Sequence, residues 1–162
     1  MDDALTLRFT RLSDEAHRFD YRHPDGSGET LDLESAGVLF HDLLHFAVET
    51  EAGLSGSFYG LVAKIGGYAE LSVGGGAALG GEIAITERVV AALAEAVRDE
   101  GLDTDVVVEQ ARSDFELYGE RPPRWLTAEF VAKVAARMRD LEGRWRATPA
   151  GETMELRFPL AR

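Results

Sequence analysis

Residues 4–23 read ALTLRFTRLSDEAHRFDYRH, and their period of two decides the fold class. Leu5, Leu7 and Phe9 point to one side of an extended chain, while Thr6, Arg8 and Thr10 point to the other. Ser13-Asp14 breaks the run as a polar turn. Alternation then resumes with His17, Phe19, Tyr21 and His23 against Arg18, Asp20 and Arg22. A helix repeats every 3.6 residues and would scatter these apolar side chains around its axis, so both runs read as strands. Pro24-Asp25-Gly26-Ser27-Gly28 turns the chain, and residues 30–33 make a third strand. The result is a meander with one apolar face.

The far end carries the same signal. Trp145 and Ala147 precede the turn residues Pro149-Ala150-Gly151-Glu152, after which Met154, Leu156 and Phe158 alternate with Thr153, Glu155 and Arg157. A lone two-stranded hairpin is marginal in water, so this terminal hairpin is expected to join the amino-terminal meander in one sheet. The stretch between is helical in period. Residues 36–51 form one helix ended by Gly53; Thr86 caps a second running to Glu100, with Val89, Val90, Leu93 and Val97 inward; residues 104–118 form a third. Thr127 caps a fourth, with Leu126 stapled onto Val131 and with Phe130, Val134, Met138 and Leu141 buried. Residues 54–81 are rich in glycine yet too apolar for a solvated linker, and irregular turns with a short strand at 69–73 are expected there. Strands at both ends with helices between predict one α+β domain over residues 1–162, a mostly antiparallel sheet covered by about four helices.

The totals exclude several functions. A net charge of −12 disfavours nucleic acid and anionic membrane surfaces, both of which demand cations. The charge is uneven: residues 1–120 hold 8 basic and 24 acidic side chains (−16), residues 121–162 hold 9 and 5 (+4). Attraction between the two parts within one fold explains this, with a basic docking surface as the alternative. The absence of cysteine removes disulfides, thiolate nucleophiles and cysteine-ligated metal. No uncharged run approaches the roughly 20 residues that span a bilayer, and Met1-Asp2-Asp3 has the wrong charge for a signal peptide. A cytoplasmic protein is expected.

One constellation carries chemistry. With His41 at 0° on the wheel of the 36–51 helix, His45 falls at about 40°, Glu49 at about 80° and Asp42 at about 100°. Two histidines four apart place their rings on one side of a helix, as in the zinc motif His-Glu-x-x-His. His41, His45, Glu49 and Asp42 are therefore the candidate ligands for a divalent metal, zinc or similar. Holding an imidazole tautomer is the other role open to Asp42 or Glu49. A solvated or structurally hydrogen-bonded polar face explains the same stripe without any metal, and metal-free acid/base chemistry is a third reading. His17 and His23 share a face with Phe19 and Tyr21 and read as core or rim histidines satisfied by backbone groups. The glycines at 74–81 match neither a phosphate loop nor the dinucleotide spacing Gly-x-Gly-x-x-Gly, and no Gly-x-Ser-x-Gly elbow occurs.

The run His41-Asp42-Leu43-Leu44-His45-Phe46-Ala47-Val48-Glu49, with Thr148-Pro149, Gly151 and Leu156 near the end, resembles a group of small bacterial proteins of unknown function. These carry a His-Asp-Leu-x-His-aromatic-x-Val-Glu segment and a Thr-Pro…Gly terminal hairpin. The resemblance spans most of the chain and implies no activity. His41, Asp42 and His45 are also similar to the His-Asp-x-x-His-x11-Glu metal motif of helical ubiquinone-biosynthesis proteins. The position of its glutamate is Ser57 here, so that function is not carried over. Two functions remain. One is a non-catalytic binding or scaffold domain that pairs with itself or with a protein partner. The other is a divalent-metal protein or small metal-dependent enzyme built on the 41–49 helix face.

Overall fold

The computed structural model of the chain describes residues 3–72 and 79–160. Both amino-terminal runs are strands, β1 (Ala4–Arg11) and β2 (Ala16–Arg22), followed by β3 (Gly28–Glu34). With β4 (Thr153–Pro159) they form an antiparallel sheet of order β3-β2-β1-β4. The pleat sets the register. Leu7 lies opposite Tyr21 on one side and Leu156 on the other, and Phe9 opposite Phe19 and Met154. All six are buried on one face. The turns follow side-chain chemistry: Ser13 Oγ accepts the amides of Glu15 and Ala16, and Asp25 Oδ1 accepts that of Ser27 beside Gly26 at φ 88°.

Helices cover that face, giving the α+β fold read from the period of the sequence. α1 (Val38–Ala52) ends at Gly53, which takes the left-handed conformation and returns its N–H to the last carbonyls of the helix. α2 (Phe58–Ile65) and α3 (Tyr68–Ser72) follow, then α4 (Gly81–Leu93), a 3-10 turn (Ala96–Arg98), α5 (Thr104–Leu117) and α6 (Ala128–Arg146). The cap of α6 is as expected: Thr127 Oγ1 accepts the Phe130 amide at 3.1 Å, and Leu126 and Val131 are both buried. Arg137 on α6 meets Glu51 on α1 at 2.7 Å, one ion pair that joins the basic carboxy-terminal part to the acidic remainder. Among the described residues no helix is long and apolar enough to cross a membrane.

Three expectations are corrected. The chain ends in helix–turn–strand, not a hairpin. α6 continues through Trp145 to Arg146, and the turn at 149–152 is clamped to the end of β1 by Gly151 N–Arg11 O and Arg11 N–Glu152 O bonds. Arg and Trp are tolerated in a helix, and Trp145 is held there by the Arg11 guanidinium stacked 4.7 Å above its ring. Residues 54–72 hold α2 and α3 in place of irregular turns and a strand, because Phe58, Tyr59 and Val62 pack into the core on helical spacing. The Gly74-Gly75-Gly76 run and Val73 lie outside the described residues. Finally, α4 begins at Gly81, so Thr86 caps nothing. It is buried inside the helix, with its hydroxyl bonded to the Glu82 carbonyl.

Candidate metal centre

α1 brings its stripe inward instead of presenting it to water. Asp42, His45 and Glu49 are fully buried, and only His41, with 37% of its side chain exposed, reaches the surface. This overturns the solvated face for three of the four residues, while the structurally hydrogen-bonded alternative fits all three. Packing explains it, since α1 is flanked by the sheet, α2, α4 and α6, and no side of its central turns is left free.

Each imidazole is placed between two carboxylates. His45 Nδ1 is hydrogen-bonded with Glu49 Oε2 at 2.9 Å, and its Nε2 lies 3.1 Å from Glu87 Oε1. His41 has the same arrangement more loosely: Nδ1 is 3.5 Å from Asp42 Oδ1 and Nε2 is 3.7 Å from Glu87 Oε2. The two rings are 4.6 Å apart, inclined at 65°. His41, His45 and Glu87 each offer one ligand atom, all within 4.8 Å of one another. Metal–ligand bonds of about 2.0–2.2 Å place neighbouring donor atoms roughly 3–3.5 Å apart, so a small contraction would close this triangle around an ion. His45 Nε2 is buried, and its 3.1 Å approach to Glu87 Oε1 is an ion-pair contact outside hydrogen-bond geometry.

The carboxylates behind the rings are fixed in turn. Glu49 Oε1 accepts the Tyr59 amide at 2.9 Å, at the start of α2. Asp42 Oδ2 accepts the Tyr68 hydroxyl from α3, and the Asp42 carbonyl accepts the Tyr59 hydroxyl at 2.8 Å. α4 is tied into the same region, since Glu82 accepts the Gly56 amide and the Ser57 hydroxyl, and Ser57 meets Thr86 at 2.7 Å.

Electrostatics follow from this crowding. Hydrogen bonds to Asp42 and Glu87 raise His41 to about 9 against the desolvation that opposes them. Burial favours neutral His45, but Glu49 and Glu87 outweigh it, and the ring is held above its ordinary value. Burial lifts Glu87, yet the two imidazoles more than offset this and bring it to about 2. Burial raises Glu49, with His45 and the amides of Tyr59 and Phe58 acting the other way. Without an ion, His41 is held as imidazolium against the Glu87 carboxylate at neutral pH.

The structure therefore brings His41 and His45 together as spaced in the sequence, and places Glu49 and Asp42 behind them, each against an Nδ1. Glu87 completes the triangle and was missed. Its signal was available: Ile83, Thr86, Glu87 and Val90 follow i, i+3, i+4, i+7, so a carboxylate occupies an inward position of an apolar stripe. Taking Thr86 as a cap hid this by starting the helix one turn too late. His17 is buried and bonded through Nδ1 to the Ser35 hydroxyl at 2.9 Å, a side chain and not a backbone group. A separate cleft of about 620 Å³ lies between α4 and α5, lined by Arg88, Ala92, Phe115 and Tyr118 among others, and none of its lining residues belongs to the cluster.

Compared with known proteins, the chain matches no family model, no curated protein and no solved structure.

Proposed function

We propose that this protein binds a divalent cation through His41 Nε2, His45 Nε2 and a Glu87 oxygen. The observation that carries the reading is His45: its Nδ1 is engaged by a buried carboxylate, while its buried Nε2 faces Glu87 Oε1 at 3.1 Å beside the His41 ring. Ligand histidines generally give their second nitrogen to such a carboxylate. Two imidazoles and one carboxylate suit zinc in an open site and equally iron(II) in a facial triad. Three protein ligands leave positions for water, and an ion held this way lowers the pKa of that water toward neutrality, which is the basis of metal-assisted hydrolysis. We place the protein in the cytoplasm on its charge and lack of cysteine, away from nucleic acid.

A second reading rests on the raised His41 and lowered Glu87, which together describe a self-sufficient ion network with no metal. Elemental analysis of untagged protein separates the two, followed by melting with zinc, manganese, nickel and iron(II). A stoichiometric ion and a higher melting temperature, both lost in Glu87→Gln, are expected. No bound ion and no shift with any of the four leave the ion network standing.

A further inference from the structure

We infer that Glu49 is a positioning residue for this centre, rather than a ligand, and that it works by fixing the proton of His45 on Nδ1. The inference rests on the metal reading above and concerns how the site is held. Glu49 is fully buried: Oε2 lies 2.9 Å from His45 Nδ1, and Oε1 takes the Tyr59 N–H at the start of α2, with the Phe58 amide also directed at the carboxylate. Coordination requires a neutral imidazole with one proton, so holding that proton at Nδ1 frees the Nε2 lone pair for an ion beside Glu87 and His41. The arrangement needs a side chain with two acceptors and no donor. Glutamine has one of each. If its oxygen keeps the Tyr59 amide, its NH2 faces His45, the ring proton moves to Nε2, and the ligand position is blocked.

Helix geometry makes Glu49 the effective member of the pair. Residues four apart lie over one another on α1, so Glu49 meets His45 at 2.9 Å inside the core. Asp42 is adjacent in sequence to His41, where side chains diverge by about 100°; the approach is 3.5 Å, and the other oxygen is held by the Tyr68 hydroxyl. α2 belongs to the device as well. Its start offers the amide that aims Glu49, and its cap residue Ser57 makes no side-chain cap bond of its own, so Glu49 takes that place from α1.

The test is cobalt(II) titration followed by absorbance, with zinc affinity from competition against a chelator, on wild type, Glu49→Gln and Asp42→Asn. Glu49→Gln should weaken both ions by about 10–100-fold while leaving the cobalt band of the saturated protein in place, with Asp42→Asn losing less. Affinity in Glu49→Gln equal to wild type overturns the positioning role and leaves the centre intact. A cobalt band that changes with the number of ligands makes Glu49 itself a ligand and overturns it too. Wild type that binds neither ion sinks the metal reading and this inference with it. Should Glu49→Gln fail to fold, nitrogen-15 spectra of the imidazoles in zinc-loaded wild type decide the matter. A protonated Nδ1 and metal-bound Nε2 on His45 support the role; the reverse overturns it.

Discussion

β1 and α1 are the two central elements of the molecule, and they bury opposite kinds of surface. β1 runs between β2 and β4 and turns Leu5, Leu7 and Phe9 into the core, hydrocarbon only. α1 buries Leu43, Leu44, Ala47 and Val48, and with them Asp42, His45 and Glu49. Removing ions from water costs several kcal/mol apiece, and their mutual attraction repays it only in good geometry. Apolar side chains of similar volume usually serve stability as well or better. A helix selected for packing alone would look like β1. On the proposed function the stripe on α1 is kept for metal binding at a cost to the fold, and perturbing the two elements should then give different signatures.

The largest effect belongs to the sheet. Phe158 on β4 pairs with Leu5 of β1 and packs 5.6 Å from Tyr59 and 6.4 Å from Phe46. Phe158→Ala should cost about 3–5 kcal/mol, a large share of a typical 5–15 kcal/mol, and urea unfolding should show the same loss with or without zinc. A loss that appears only in the presence of zinc would erase the distinction between the two elements.

Breaking the stripe comes next. His45→Ala removes the partner of a buried carboxylate, which costs about 3 kcal/mol, the low end for such pairs because the Tyr59 amide still holds Glu49. The paired change His45→Leu with Glu49→Gln removes the charge and keeps that amide satisfied. Stability without metal should return to within about 1 kcal/mol of wild type, while the zinc-dependent increase, about 2.7 kcal/mol at one hundred times the dissociation constant, stays lost. If the paired change is as unstable as His45→Ala, the stripe is structural after all.

The same contrast governs what the sequence revealed. β1, β2 and β4 were legible because one-sided burial writes period two directly into the residues, and Thr127 because a capping hydroxyl acts on amides two and three positions away. His41, His45 and Glu49 were legible as a stripe since one helix holds all three. Its burial was not, because the covering helices α2 and α4 come from residues whose glycine content masks helical spacing. Glu87 was lost differently: its inward position is written in the stripe of Ile83, Thr86 and Val90, but starting the helix at Thr86 hid it, and the docking of α4 against α1 that makes it a neighbour of the imidazoles is not local. The end of α6 was misread because Trp145 and Ala147 fit a period of two as easily as the last turn of a helix.

Acidity sharpens the comparison, since among the described residues of the sheet's apolar face only His17 has a reference pKa inside the range from about 4.5 to 9. His41 is raised from 6.5 to about 9 in the folded protein, so its contribution is complete below about 6.5 and is lost as pH rises through 9. Glu87 is lowered from 4.5 to about 2, so its contribution is complete above about 4.5 and is lost as pH falls toward 2. Buried His17 is lowered, with Asp42 acting weakly against burial, and it withdraws stability as pH falls below 6.5. Metal-free protein should therefore melt highest in mildly acid solution and lower toward pH 9. Zinc competes with the ring protons, so its stabilising increment should grow over that alkaline range instead of levelling off near 7. Melting scans from pH 4.5 to 9, with and without zinc, test this; a zinc increment that is flat above pH 7 contradicts the raised His41.

The smallest effect serves as the control that separates stability from the site. Thr127 lies at the start of α6, and its hydroxyl accepts one amide, that of Phe130. Removing such a cap leaves a helix-end donor without its partner and costs about 1 kcal/mol, which for a domain of this size lowers the melting temperature by about 2–4 °C. α6 packs against α1 on the side of Arg137 and Glu51, and offers nothing to the imidazoles. Thr127→Ala should thus lower the melting temperature of metal-free and zinc-loaded protein by the same amount, and Thr127→Ser should restore it. The zinc increment is the quantity to watch. If it shrinks in Thr127→Ala, metal binding tracks global stability, and the losses in His45→Ala and Glu87→Gln no longer identify ligands.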